Sequence, residues 1–118
     1  MATDWSDNIV IAELADEPSM SEELNNILQR LSETEEAETP HVVLNMADST
    51  YLNSSNIAQL LRLRKHLGEA GRKLKLCCVS DQVWSIILLT GLDTVFHFAP
   101  DTVTAIASLQ IEDEGGKG

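Results

Sequence analysis

The chain predicts an α/β fold, with a mostly parallel central sheet of four to five strands and about four helices. Short apolar runs rich in β-branched residues alternate with stretches whose apolar residues recur at helical spacing. Capping and turn residues separate these segments, and the order strand, helix repeats four times along the chain. Such alternation implies parallel strands joined by right-handed crossovers, with helices packed on the sheet. The 118 residues and 43% hydrophobic content suit one core, and 4% aromatic content makes that core aliphatic. No internal repeat and no linker interrupts the pattern, so residues 1–118 are expected to form a single domain.

The first strand reads from Asn8 to Leu14, and the residues before it form a short edge strand that turns at Ser6-Asp7-Asn8. After Pro18, Ser19 or Ser21 is expected to cap a helix with Glu22 and Glu23 in its first turn. Met20, Leu24, Ile27, Leu28 and Leu31 form its apolar stripe. Glu33 to Pro40 lacks such a pattern and reads as an exposed acidic connector. Val42 to Met46 is apolar on both faces, as in a central parallel strand. The helix from Ser54 to Ala70 stops near Gly68 or Gly71. Lys73 to Val79 alternates, with Leu74, Leu76 and Cys78 on one side and Lys73, Lys75 and Cys77 on the other. Ser80-Asp81 caps a helix containing Val83, Trp84, Ile87 and Leu88 that stops at Gly91. Val95 to Phe98 makes the last strand. Pro100-Asp101 opens a final helix with Val103, Ile106 and Ala107 facing inward, Leu109 less securely so, and Ile111 to Gly118 is a frayed acidic tail.

A net charge of −11 repels phosphate backbones and anionic lipid, which argues against direct nucleic-acid or membrane binding. The charge is uneven: the first forty residues hold eleven of the 19 acids, while Arg62, Arg64, Lys65, Arg72, Lys73 and Lys75 cluster. This basic strip lacks interleaved aromatics and reads as a solvated helix face that can meet acidic groups. With no basic leader and no apolar run of about 20 residues, the chain is expected to be cytoplasmic. Cys77 and Cys78 are adjacent and point to opposite strand faces, so buried free thiols are expected. His41, His66 and His97 are dispersed and lack metal-ligand spacing, and no phosphate loop, dinucleotide turn or nucleophile elbow is present. No catalytic residue, metal site or cofactor is therefore expected.

The segment that carries function is Asn53-Ser54-Ser55-Asn56, between an apolar strand and an amphipathic helix. Small polar residues there cap the helix, because their oxygens accept the unpaired first-turn amides. The same position tolerates an added anion, through those amides and the helix dipole.

The span His41-Val42-Val43-Leu44-Asn45-Met46, then Tyr51-Leu52-Asn53-Ser54-Ser55-Asn56-Ile57, then Leu74-Lys75-Leu76-Cys77-Cys78-Val79, resembles the STAS domain of bacterial anti-sigma factor antagonists. Gly91-Leu92-Asp93-Thr94-Val95-Phe96 is similar to that family's Gly-Leu turn before its last strand. The resemblance covers residues 41–109 well and the first forty residues in element order alone. It implies a STAS-like domain that binds an anti-sigma factor with serine kinase activity and thereby frees a sigma factor. In the family's Asp-Ser-Ser/Thr-Gly-Leu junction the second hydroxyl is the phosphoacceptor. The resemblance thus implies phosphorylation at Ser55 and partner contact through Tyr51, Asn53, Ser54, Ser55, Asn56 and Ile57. Asn53 stands where the family has Asp, and Asn56 adds bulk where it has Gly. A scaffold or assembly subunit using the same face constitutively, and a module binding a small ligand beside the helix start, are the competing readings.

Overall fold

The computed structural model describes residues 3–6 and 8–115, with side chains as far as Ile111. Its elements are β1 (Thr3–Trp5), β2 (Ile9–Ala15), α1 (Ser19–Ser32), β3 (His41–Asp48), α2 (Ser54–Glu69), β4 (Leu74–Cys77), α3 (Asp81–Thr90), β5 (His97–Ala99) and α4 (Thr102–Gly115). Short 3-10 turns occupy Glu36–Glu38 and Leu92–Thr94. The five strands lie in chain order, β1-β2-β3-β4-β5, with β1 antiparallel to β2 and the remaining pairs parallel. The expected edge strand is thus present, and Ser6 closes its turn by donating to the Ile9 carbonyl at 3.1 Å. Asp7 lies outside the described residues.

Right-handed crossovers that advance in one direction across a sheet put their helices on one face. Accordingly α1, α2 and α3 share a core with the inward side chains of β2, β3 and β4, built from Leu14, Leu24, Leu31, Leu44, Leu63, Leu76 and Ile87 among others. The opposite face is covered by α4, whose Ala105 and Leu109 pack on Ile9, Val43 and Cys77. β3 is therefore buried on both sides, which its unbroken apolar run anticipated.

Several expectations are corrected. No serine caps α1: Pro18 holds the cap position, and the Glu17 carboxylate accepts the Ser21 amide at 2.9 Å instead. In α3, Val83 and Ile87 face the core while Trp84 is 36% and Leu88 51% exposed. In α4, Ala105 and Leu109 are the buried pair; Val103 is 77% exposed and Ala107 also faces outward. The apolar residues of α3 spread nearly all round the helix and those of α4 follow no single stripe, so periodicity could not single out the side that packs. α4 runs on through Gly115, which overturns the frayed tail for residues 111–115, and 116–118 lie outside the described residues. The last strand begins two residues later than expected, because Val95 and Phe96 both donate to the Leu92 carbonyl in the preceding turn.

The cysteines are free, but only Cys77 is buried. Cys78 follows the strand end in the left-handed region, at φ 60, so it leaves the Leu74 side and joins the face under α4. Burial pushes the Cys77 thiol up to about 11, which keeps it protonated and unreactive. Lys75 is not part of a solvated strip either: it is 6% exposed, in the middle of β4.

Candidate functional site

The site forms where the chain leaves β3 and starts α2. Ser49 is buried and donates its hydroxyl to the Leu14 carbonyl at 2.8 Å, tying the linker to β2. Asp16 extends the tie, accepting the Thr50 amide at 2.8 Å, the Thr50 hydroxyl at 2.7 Å and the Tyr51 amide at 3.3 Å. Hydrogen bonds to both Thr50 groups hold the Asp16 carboxyl below its usual range. With the backbone fixed this way, Leu52 enters the core and Tyr51 stands 62% exposed.

Asn53 then caps α2 in a reciprocal box. The Asn56 amide donates to Asn53 Oδ1 at 2.8 Å, and the Asn53 amide donates to Asn56 Oδ1 at 3.0 Å. The Ile57 amide reaches the Asn53 carbonyl at 3.1 Å. These bonds leave the amides of Ser54 and Ser55 as the first-turn donors without a protein acceptor among the described residues. Both serine side chains are exposed, on the first two residues of the helix. Ile57 is half-buried against the main core.

Asn56 does not project its bulk outward. It is 1% exposed, and its Nδ2 donates to Glu17 Oε2 at 2.8 Å and to the Ser21 hydroxyl at 3.4 Å. Glu17 also receives the Ser21 hydroxyl and lies 3.5 Å from Asn53 Nδ2. The Ser21 hydroxyl and amide, then the Asn56 amide, hold the Glu17 carboxyl down to about 2, so it is ionised at neutral pH. One turn further, Gln59 Nε2 donates to the Ser21 carbonyl at 3.2 Å and to Asn25 Oδ1 at 3.0 Å. The start of α2 is thus clamped to the start of α1 by polar contacts in addition to their shared core.

Sequence reasoning missed Asp16, Glu17 and Ser21 as members of this site. The available clue was Asn56: a polar amide at the third position of a helix that packs on a sheet needs partners from another element. α3 also begins here, because the Ser80 hydroxyl donates to the Ser49 carbonyl at 2.8 Å and caps α3 by accepting the Val83 amide at 3.3 Å. The outward side of α3 carries exposed Trp84, Leu88 and Leu89. Among the described residues no group of three or more His, Cys, Asp or Glu is arranged to hold a metal ion. No described helix is long and apolar enough to cross a membrane.

The family model for the STAS domain matches residues 6–105. The chain belongs to the STAS domain family. Solved structures share its architecture at low identity. A proposed anti-sigma factor antagonist of Thermotoga maritima superposes with a TM-score of 0.76 at 14% identity, over 92% of this chain and 93% of that one. A serine-to-glutamate variant of RsbS from Moorella thermoacetica gives 0.78 at 11% identity, over 96% and 97%. An anti-sigma-factor antagonist (STAS) domain protein of Planctomyces limnophilus gives 0.74 at 15% identity, over 92% and 97%. At these identities the STAS likeness is one of fold.

Proposed function

We propose that this STAS chain is an anti-sigma factor antagonist of the cytoplasm that works by partner switching, as a non-enzymatic regulator. It binds an anti-sigma factor with serine kinase activity through Tyr51, Asn53, Ser54, Ser55, Asn56 and Ile57, and is released by phosphorylation at Ser55. The observation that carries this reading is an exposed serine at the second residue of a helix whose cap is already satisfied by other groups. The hydroxyl is free to be modified without unmaking the helix start. Asn56 contributes from beneath, by holding the cap, while Tyr51 and the two serines supply the surface. Structural neighbours described as anti-sigma factor antagonists support the same reading.

A phosphoryl group would add about −1.5 to −2 charges at this surface. Its own helix tolerates that charge, whereas a covering partner must desolvate and oppose it. A coupling of about 1–3 kcal/mol suffices, equivalent to roughly 5- to 150-fold in affinity. The test pairs recovery of the tagged chain and its partner with intact-mass measurement. A form heavier by about 80 Da is expected for wild type and absent from Ser55→Ala. Ser55→Ala should bind the anti-sigma factor, and Ser55→Asp should bind it in the weakened range above. Equal binding by wild type and Ser55→Asp would refute the switch.

One observation favours a constitutive scaffold instead. Asp16 and Glu17 already bring two carboxylates to this junction, and like charge raises the cost of a phosphate beside them. Equal binding together with a single unmodified mass would support that reading.

A further inference from the structure

At the other end of α2 lies a cavity of about 240 Å³ that the site above does not use. Arg64 and Lys65 enter it from the last third of α2, Arg72 and Lys73 from the turn into β4, and His97 from the start of β5, over a floor that includes buried Phe96. No carboxylate lines it, although the chain has 19 acidic residues against eight basic ones. Among the described residues, Arg64, Lys65 and Lys73 make no ion pair, and the Arg72 Nε donates to the Thr39 carbonyl at 2.7 Å rather than to an acid.

The helix dipole accounts for cations near the end of α2, where they complement unpaired carbonyls. It does not account for further cations converging on the same cavity from β4's approach. Four like charges around one concavity repel one another, and an acidic chain had ample carboxylates with which to neutralise them. We propose that this cavity is a binding site for a small anion bearing a phosphoryl or pyrophosphoryl group. At about 30 Å³ per water, the space equals about eight waters, enough for a diphosphate with part of its hydration shell and too little for a folded peptide segment. Arg64 and Arg72 offer planar, forked donors to phosphate oxygens, while Lys65 and Lys73 act as point charges. Arg72 is already oriented by Thr39, so less of its side-chain freedom is lost on binding.

The site is some distance along α2 from Ser55, and its test is independent of partner switching. Pyrophosphate is titrated calorimetrically into the full chain at about 0.1 M salt, where remote charges are largely screened. Saturable binding with a Kd below about 1 mM is expected. Lys73→Gln and Arg64→Gln change exposed side chains, leave the fold intact, and should each weaken binding about tenfold. Arg62→Gln, on the same helix but outside the cavity lining, should leave it unchanged. Absence of saturable binding with a Kd below about 1 mM, or equal weakening by Arg62→Gln, overturns the proposal. Tighter binding of a glutamate-rich peptide than of pyrophosphate would also overturn it, in favour of a protein partner.

Discussion

The two ends of α2 solve opposite problems. At the N-terminal end, Asn53 and Asn56 satisfy first-turn amides while Asp16 and Glu17 from the β2–α1 turn and Ser21 from the first turn of α1 reach across, leaving the Ser54 and Ser55 amides unpaired among the described residues. At the C-terminal end, Gly71 turns the chain in the left-handed region and Arg64, Lys65 and Lys73 gather without carboxylates. One end is a capped platform, tied across to α1, that displays two serines. The other is an unsatisfied basic concavity. The difference teaches that surface chemistry in this STAS domain is organised along a single helix. The end whose cations lack counter-charges calls for an anion, and the capped end serves for display.

The comparison can be broken at its common support. Leu63 is fully buried at the centre of α2, so Leu63→Ala should cost about 2–5 kcal/mol in urea unfolding and loosen both ends together. An unchanged midpoint would mean that the ends do not depend on a shared core. Asn56→Ala addresses the N-terminal end alone. It removes half of the capping box and a contact to Glu17, and about 1–2 kcal/mol should be lost, with pyrophosphate binding unaffected. Arg64→Gln probes the other end, where relief of like-charge repulsion should leave stability within about 0.5 kcal/mol of wild type, or slightly above it, by the same unfolding measurement.

The smallest expected effect is a pH dependence. Glu17 has its carboxyl lowered from 4.5 to about 2 by the Ser21 and Asn56 contacts. A depressed carboxylate stabilises the fold above its unfolded pKa, and that contribution is lost as pH falls through the folded value. Glu17→Gln should therefore be less stable than wild type at pH 7, and the gap should close between pH 4.5 and about 2. Because Glu17 is exposed, screening keeps the gap small. A gap that widened on acidification would remove Glu17 from the clamp.

Much of this protein was legible in the residues themselves. Alternating β-branched runs and amphipathic stretches determined the strand–helix order, and Val42 to Met46 marked a doubly covered central strand. Asn53 before an amphipathic run determined the helix start, and Gly91 and Gly71 the left-handed stops. These are local properties: capping, backbone freedom and periodicity act over a few residues. Tertiary structure decided what local rules leave open. In α3 and α4, whose apolar residues mark no single stripe, tertiary packing selected Val83, Ile87, Ala105 and Leu109 for burial. The Asn56–Glu17 bond joins residues 39 positions apart, and the cationic cavity draws on three separate elements. Contacts of that range arise only once the sheet has set α1, α2 and β5 in place, because nothing in a short window of sequence records which groups will face each other across it.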